Sequence, residues 1–206
     1  MLHSSRSGFS IQDIPETHVL WMLLQGRVRL VGRAAWNDSV TVETWPRTME
    51  RITSTRNFEV YGPDRSLVAV GESNWVLVNA DTGRPARITA EIAKAYDLTD
   101  RDVFQTPQED LPEGKGRLSF SSTVLRRDID TNHHVNNRVY LDFAREALPP
   151  ELAAYPFPEV SVRYRRQLLL GDLIRCYYRQ DGVQHIVDIC GEDQSHIHAT
   201  VAFRTE

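Results

Sequence analysis

The stretch Arg127-Asp-Ile-Asp-Thr-Asn-His-His-Val-Asn-Asn137 changes character near its end. Up to Val135 it carries acid, amide and imidazole side chains, as a polar loop does. From Asn136 to Leu148 apolar residues recur every three or four positions, which predicts an amphipathic helix. Asn136 is a suitable N-cap, and two prolines follow Leu148 and end the segment. The stretch therefore predicts a polar loop that runs directly into a helix N-terminus.

Three side chains of this loop suit chemistry at a carbonyl group. Asp130, Asn132 and His134 alternate, so in an extended loop they lie on one side. A carboxylate accepts a proton, an imidazole passes one near neutral pH, and an amide donates to an oxyanion. The positive end of a helix dipole favours developing negative charge there. These groups predict attack by water without a metal or other cofactor. Such side chains also cap helices and fill turns, so residue types alone leave a structural role open.

Composition excludes several classes of protein. The chain has 206 residues and is 41% hydrophobic, which suffices for one large domain or two small ones. A net charge of −4 argues against a nucleic-acid binder. Cys176 and Cys190 lie in apolar runs, as reduced core residues of a cytoplasmic protein do. Residues 19–24 form the longest early apolar run, which is too short to span a membrane. We expect neither nucleic acid nor membrane as a partner.

The first half of the chain, residues 1–97, reads as an antiparallel sheet. Alternating or apolar segments predict four strands joined by turns, at residues 18–31, 38–45, 52–61 and 66–78. Residues 89–96 predict one short helix. Residues 98–116 hold Asp, Glu, Pro and Gly without periodicity, which predicts a linker between two domains.

The second half, residues 117–206, repeats this order with additions in front. A strand at 117–125 precedes the polar loop and the helix, and four more strands follow at residues 159–170, 173–180, 183–191 and 196–204. A curved antiparallel sheet around one helix is an α+β unit. The first half lacks the front strand and most of the helix, so its concave apolar face should be open. We therefore expect either that the natural start lies upstream of Met1 or that this is a shortened version of a longer protein.

Two groups of motifs together resemble the acyl-acyl carrier protein thioesterases, most closely their bacterial branch. The second half matches with Asp130-x-Asn132-x-His134-Val-Asn-Asn137, followed by Tyr140 and Glu146. The first half is similar in Trp36-x-Asp38-x-Val40-x-Val42-x-Thr44-Trp45 and in Ser73-Asn-Trp-Val-Leu-Val-Asn79, with Arg87-Ile88 after it. The resemblance runs from about Gly8 to the C-terminus.

The resemblance implies a tandem hotdog fold, in which each half is a curved antiparallel sheet around a helix. It implies hydrolysis of fatty acyl-acyl carrier protein to free fatty acid, the step that ends fatty acid biosynthesis. Carried over by position, Asp130, Asn132 and His134 are the catalytic residues, with Asn136 and Gln167 in support. The first half would shape the acyl pocket.

One departure from the family pattern affects the mechanism. Gln167 and Leu168 stand where the plant enzymes have Glu and then Cys. A cysteine nucleophile is therefore not available there, and neither Cys176 nor Cys190 fits in its place. This favours attack by water or by the Asp130 carboxylate. Gln167 can hydrogen-bond but carries no charge, so we expect reduced or retuned activity.

The partner also follows from the resemblance. Acyl carrier protein is acidic, so we expect arginines near the site to steer it, the candidates being Arg126, Arg127, Arg138 and Arg166. An acyl-CoA thioesterase and a non-catalytic acyl-binding hotdog protein are the alternative functions. The sequence leaves chain-length preference and oligomeric state open.

Overall fold

The computed structural model describes residues 8–112, 114–192 and 195–206, which form two compact units divided between Pro107 and Gln108. The first unit contains helices α1 (Ile14–Thr17) and α2 (Ala90–Lys94) and strands β1 (Val19–Leu30), β2 (Thr41–Glu50), β3 (Thr53–Tyr61) and β4 (Leu67–Asn79). The second contains helix α3 (Val139–Glu146) and strands β5 (Arg117–Thr123), β6 (Glu159–Tyr164), β7 (Leu173–Asp181), β8 (Gln184–Cys190) and β9 (Ile197–Arg204). None of the described helices is long and apolar enough to cross a membrane.

The first sheet has the strand order β2-β3-β4-β1, with every neighbouring pair antiparallel. Four strands joined in order by turns would pair each strand with the next one, and β2, β3 and β4 do so, but β1 pairs with β4 instead of β2. The connection through residues 31–40 is long enough to make that crossing, whereas the turns after β2 and β3 are short. Antiparallel pairing is thus as predicted, and the position of β1 is a correction.

Strand β2 differs from its prediction at both ends. It begins at Thr41 and continues through Pro46 to Glu50, with a shift of register between Pro46 and Thr48. Proline is tolerated because β2 is an edge strand and its missing N–H faces no second neighbour. Trp45 is buried on one face of β2, under the Arg101 guanidinium 3.8 Å from its ring.

The other face of the first sheet is partly open, as predicted. Val28 and Phe58 both lie opposite Gly71 in the register, and Val42 pairs with Val60, which places these apolar residues on one face. Val28 and Val42 are 47% and 56% exposed. Among the described residues of this unit, nothing corresponds to β5 or to the eight-residue helix of the second unit.

The second sheet has the order β6-β9-β8-β7-β5 and packs its apolar face against α3. Val139, Tyr140, Phe143 and Ala144 of the helix are buried, which confirms the predicted amphipathic face. Alternate residues along the central strands supply the other side of this core, among them Cys176, Val187, Ile189 and Val201. Burial on this scale makes the second unit the better-packed of the two.

Strand β6 is shorter than its prediction of residues 159–170. It ends at Tyr164 because the N–H groups of Arg165 and Arg166 both donate to the His198 carbonyl, at 2.8 and 3.1 Å. The chain then leaves the sheet and reverses near Gly171, whose φ of 88° is one that favours glycine. This departure creates the segment that supports the candidate site.

An arginine in each unit, buried in the first and partly buried in the second, binds part of the stretch predicted as a linker. In the first unit, Arg27 lies 3.5 Å from Glu72 and 3.7 Å above the Phe104 ring, and it donates to the Thr106 carbonyl. In the second unit, Arg179 pairs with Asp188 and donates to the Pro112 carbonyl at 2.6 Å. Residues 98–107 and 108–112 are therefore each fastened to a sheet.

Removal of one partner of the Arg179–Asp188 pair should lower the free energy of unfolding more than removal of both charges. Arg179→Met leaves the Asp188 carboxylate buried without its cation, and the free energy of unfolding should fall by about 3–5 kcal/mol. Adding Asp188→Asn should recover most of this loss. Arg117→Met, at an exposed position of β5, is the matched control. Urea unfolding measures all four proteins, and an equal loss in the single and double variants would contradict the prediction.

Raising the pH above 9 should lower the stability of the second unit because of Cys176, which lies in its core. Burial raises the pKa of the Cys176 thiol from 9.0 to about 12. The folded state therefore keeps a proton that the unfolded chain loses above pH 9, so stability falls from pH 9 towards pH 12. Cys176→Ala should flatten this decline, although its stability at pH 7 should be lower because a cavity replaces the sulfur. Thermal unfolding between pH 7 and pH 11 checks the slope, and an unchanged slope in Cys176→Ala would refute the assignment.

Candidate active site

The polar loop forms a tight turn between the single helical turn Arg126–Asp128 and α3. The Asp130 N–H donates to the His134 carbonyl at 3.0 Å, and the His133 N–H donates to the Asp130 carbonyl at 3.1 Å. His133 takes a left-handed φ of 65°, and Ile129 pairs with Val135 across the turn. The loop is therefore not extended as predicted. Reversal of the chain, and not alternation, brings its side chains together.

Asp130, Asn132 and His134 do lie beside one another. The Asp130 Oδ1 accepts from the Asn132 N–H at 2.7 Å, and its Oδ2 lies 3.4 Å from the Asn132 amide nitrogen. The His134 Nδ1 lies 3.9 Å from the Asp130 Oδ1, longer than a hydrogen bond. The Asp130 and His134 side chains are 23% and 30% exposed, so both remain open to solvent. The turn thus presents a carboxylate, an amide and an imidazole to one small region.

The predicted N-cap, Asn136, lies two residues before the N-cap of α3, which is Arg138 and makes no side-chain cap bond. The Asn136 Oδ1 accepts from the Arg138 N–H at 2.9 Å, and the Asn136 carbonyl accepts from the Val139 N–H at 2.9 Å. Its own N–H donates to the Asp128 carbonyl at 2.8 Å. These bonds occupy three of the N–H groups expected to be free for an oxyanion, which is a correction. The Asn137 N–H has no acceptor among the described residues and is the donor left for a ligand.

The turn is fastened to the segment after β6 by two bonds to one residue. The Val135 N–H donates to the Leu168 carbonyl at 2.9 Å, and the Leu168 N–H donates to the Tyr140 hydroxyl oxygen at 3.0 Å. Gln167 precedes Leu168 and is exposed beside the turn, with its carbonyl 3.0 Å from the His198 Nδ1. Gln167 thus directly precedes the residue that holds the turn, and its supporting role stays a prediction.

Two tyrosines hold the helix start, and sequence patterns did not assign them that role. The Tyr164 hydroxyl donates to the Asn137 carbonyl at 2.9 Å, and its ring meets that of Tyr140 edge-on at 5.3 Å. Burial raises the pKa of Tyr140 to about 12 and also raises that of Tyr164. Both hydroxyls therefore stay protonated at neutral pH. Tyr140 belongs to the quoted motif and Tyr164 to a predicted strand, but their partners are distant in sequence.

Thiol chemistry finds no support in the described side chains. Leu168 has no exposed surface and packs in the core, so a side chain at this position points away from solvent. Cys176 and Cys190 are also fully buried free thiols. Burial raises the pKa of Cys176, which disfavours the reactive thiolate. The site therefore depends on oxygen and nitrogen groups.

An apolar surface with basic neighbours adjoins the turn. The Val124 N–H donates to the Asp172 carbonyl and the Gly171 N–H donates to the Val124 carbonyl, so residues 124–128 and 168–173 lie together. Four exposed leucines, which we call the leucine patch, lie on these two segments: Leu125, Leu169, Leu170 and Leu173. Arg126 and Arg166 are exposed beside it, whereas Arg138 is paired with Asp142 at 2.8 Å.

Both halves of the chain match domain models of one protein family. Residues 1–96 match the model of the acyl-ACP thioesterase N-terminal domain, and residues 116–205 match that of the C-terminal domain. The chain is 26% identical over 191 residues to oleoyl-acyl carrier protein thioesterase 2, chloroplastic, of Arabidopsis thaliana. That match covers 84% of this chain and 52% of the relative, so the chain spans about half the length of the curated relative.

Two solved structures share the fold. An acyl-ACP thioesterase from Bacteroides thetaiotaomicron superposes with a TM-score of 0.87 at 21% identity, over 98% of this chain and 83% of the other. A putative oleoyl thioesterase from Lactobacillus plantarum gives 0.81 at 20% identity, over 98% and 82%. At such identities the likeness concerns the fold, and it confirms the predicted tandem hotdog architecture.

Loss of the Tyr140 hydroxyl should disturb the turn more than the core. Tyr140→Phe leaves the buried Leu168 N–H without an acceptor, which should cost about 1–3 kcal/mol of stability. Because Leu168 also holds Val135, the rate of the reaction proposed for this site should fall by about tenfold. Tyr155→Phe removes a hydroxyl that bonds the Thr205 carbonyl and is the matched control. Equal rates in the two variants at equal stability would contradict a positioning role for Tyr140.

Proposed function

Because this chain belongs to the acyl-ACP thioesterase family, we propose that it hydrolyses the thioester of fatty acyl-acyl carrier protein, which releases free fatty acid in fatty acid biosynthesis. The observation that supports this most directly is the convergence of Asp130, Asn132 and His134 on one fastened turn. Their residue types suit attack on a carbonyl carbon, and their exposure allows a substrate to reach them.

The proposed reaction begins with the thioester carbonyl at the start of α3. The Asn137 N–H and the Asn132 amide donate to the carbonyl oxygen as negative charge develops on it. Asp130 accepts a proton from water as the water oxygen bonds to the carbonyl carbon, or its carboxylate attacks directly and water later hydrolyses the acyl-enzyme. The carbon–sulfur bond breaks and the thiolate takes up a proton. A thiol pKa of about 8.5 makes strong general acid catalysis unnecessary.

His134 and Gln167 have supporting roles in this scheme. The His134 imidazole, 3.9 Å from Asp130, orients the water or passes its proton. Gln167 lies beside the turn and can hydrogen-bond to the same water without adding charge. A neutral residue here holds the water less strongly than a carboxylate does, so turnover should be slower than with an acid at this position.

The proposed partner is acyl carrier protein, recognised beside the turn. Its acidic surface suits the exposed Arg126 and Arg166, and the leucine patch supplies apolar area between them. Coenzyme A is a small donor that cannot cover such a surface. The arrangement therefore favours the carrier protein over acyl-CoA as the thioester donor.

Removal of the Asp130 carboxylate tests the proposed chemistry. Asp130→Asn should lower kcat by about a thousandfold, since general base catalysis contributes 10²- to 10⁴-fold. Thiol release from acyl carrier protein loaded with saturated chains of several lengths is the measurement, with acyl-CoA in parallel. Asp181→Asn, at the exposed last residue of β7, is the control. If Asp130→Asn retains wild-type turnover with a native thermal transition, Asp130 is neither base nor nucleophile. No release by the wild type from either donor would instead favour an acyl-binding protein.

Charge reversal beside the turn tests the choice of donor. The double variant Arg126→Glu/Arg166→Glu should lower kcat/KM for acyl carrier protein by about tenfold or more at low salt, with a smaller effect at 0.5 M salt, because charges at the rim mainly steer association. The value for acyl-CoA should change little. Arg33→Glu/Arg84→Glu, at two exposed positions of the first unit, makes the same change of net charge and is the control. Parallel losses for both donors would count against a docking role for these arginines.

A further inference from the structure

The peptide group between Gln167 and Leu168 is bound on both sides by side chains from other elements. Its N–H donates to the Tyr140 hydroxyl oxygen of α3 at 3.0 Å. Its carbonyl oxygen, which belongs to Gln167, lies 3.0 Å from the Nδ1 of His198 in β9. A trans peptide group is planar, and its N–H and C=O point in opposite directions, so two such bonds fix the orientation of the whole group.

The orientation of this peptide group determines where the turn is attached. The Leu168 carbonyl follows it directly and accepts from the Val135 N–H at 2.9 Å. Val135 is buried and closes the turn opposite Ile129. A rotation of the Gln167–Leu168 peptide group would therefore move the Leu168 carbonyl away from the Val135 N–H and shift the turn.

The contact with Gln167 fixes which nitrogen of His198 carries a proton. A carbonyl oxygen has no hydrogen to donate, so the Nδ1 of His198 is the donor. An imidazole with a proton on Nδ1 donates there in both its neutral and its cationic form. The bond therefore needs no charge on His198, and the ring acts as a directed hydrogen-bond donor.

His198 is itself held at the start of β9. Its carbonyl accepts from the Arg165 and Arg166 N–H groups at 2.8 and 3.1 Å. Ala199, the next residue, has no exposed surface and pairs with β6 and β8 on its two sides. A Cβ atom at Gly191 would lie 3.3 Å from the His198 Nε2, so the missing side chain there leaves room for the imidazole. The ring therefore projects from a fixed backbone.

Loss of the bond from His198 should affect the position of the peptide group more than the stability of the fold. Gln167 is exposed and His198 is half-buried, so water can bond to the Gln167 carbonyl when the imidazole is removed. Water satisfies the carbonyl but is not attached to the sheet, and it does not fix the orientation of the peptide group. His198 thus differs from Tyr140, which bonds to the N–H of the fully buried Leu168.

We propose that His198 is a positioning residue of the candidate site. Its imidazole orients the Gln167–Leu168 peptide group, and this group holds the turn that carries Asp130 and His134. In this role His198 neither contacts the substrate nor transfers a proton. The consequence for turnover rests on the proposed function, whereas the consequence for the hydrogen bonds of the turn does not.

Three substitutions at one position test this role in turnover. His198→Leu should lower kcat for acyl carrier protein thioesters by about tenfold and change KM by less than about twofold, because the attacking groups shift while the substrate surface remains. His198→Asn should recover most of the loss, since its amide nitrogen is bonded to Cγ as Nδ1 is. His198→Gln places that nitrogen one atom further out and should not recover it.

His196→Leu, two residues earlier and exposed, is the matched control and should keep the wild-type kcat. A wild-type kcat in His198→Leu, or the same loss in His198→Asn as in His198→Leu, would overturn the positioning role.

Amide hydrogen exchange, followed by NMR without substrate, separates this proposal from the proposed hydrolysis. His198→Leu should accelerate exchange of the Val135 and Leu168 N–H groups by about tenfold, while the buried Val201 N–H of β9 keeps its rate. His198→Asn should restore slow exchange. Faster exchange at both amides would support the positioning role even in a protein that cleaves no thioester. Unchanged exchange at both would refute it whether or not the protein is a hydrolase.

Discussion

The backbone of Leu168 is the point on which the candidate site depends. The Leu168 carbonyl accepts from the Val135 N–H at the end of the polar turn, and the Leu168 N–H donates to the Tyr140 hydroxyl oxygen on the first turn of α3. One fully buried residue therefore joins the turn, the helix and the segment after β6. Because the Leu168 side chain belongs to the core, movement of the turn would require movement of the core. Rigidity at the site is thus a consequence of packing.

Different contacts determine the shape of the turn and its attachment to the rest of the second unit. Local contacts shape the turn itself, since the Asp130 carboxylate accepts from the Asn132 N–H and the Asn136 side chain accepts from the Arg138 N–H. Distant contacts hold the turn in place through Leu168 and Tyr164. The polar side chains of the candidate site therefore remain partly exposed while the turn is fastened to the core. A polar site can in this way sit on an apolar core without leaving unpaired groups inside it.

Both units use an arginine to hold a segment that lies outside their strands. Arg27 faces Glu72 and donates to the Thr106 carbonyl, and Arg179 pairs with Asp188 and donates to the Pro112 carbonyl. Each cation therefore joins an acid on its own sheet to the backbone of a neighbouring segment. Removal of either cation would leave its acid buried without a counter-charge, which is the costly case for such a pair.

The sequence by itself determined the number and order of the described strands, the buried face of α3 and the grouping of Asp130, Asn132 and His134, because period and short motifs are local properties. It did not determine the turn that gathers these residues, since His133 in a left-handed conformation breaks the expected alternation. Nor did it show where β6 ends, that Leu168 and Tyr164 support the site, or that β1 pairs with β4. Each of these depends on residues far apart in the chain, and only the tertiary structure decided them because it alone brings such residues into contact.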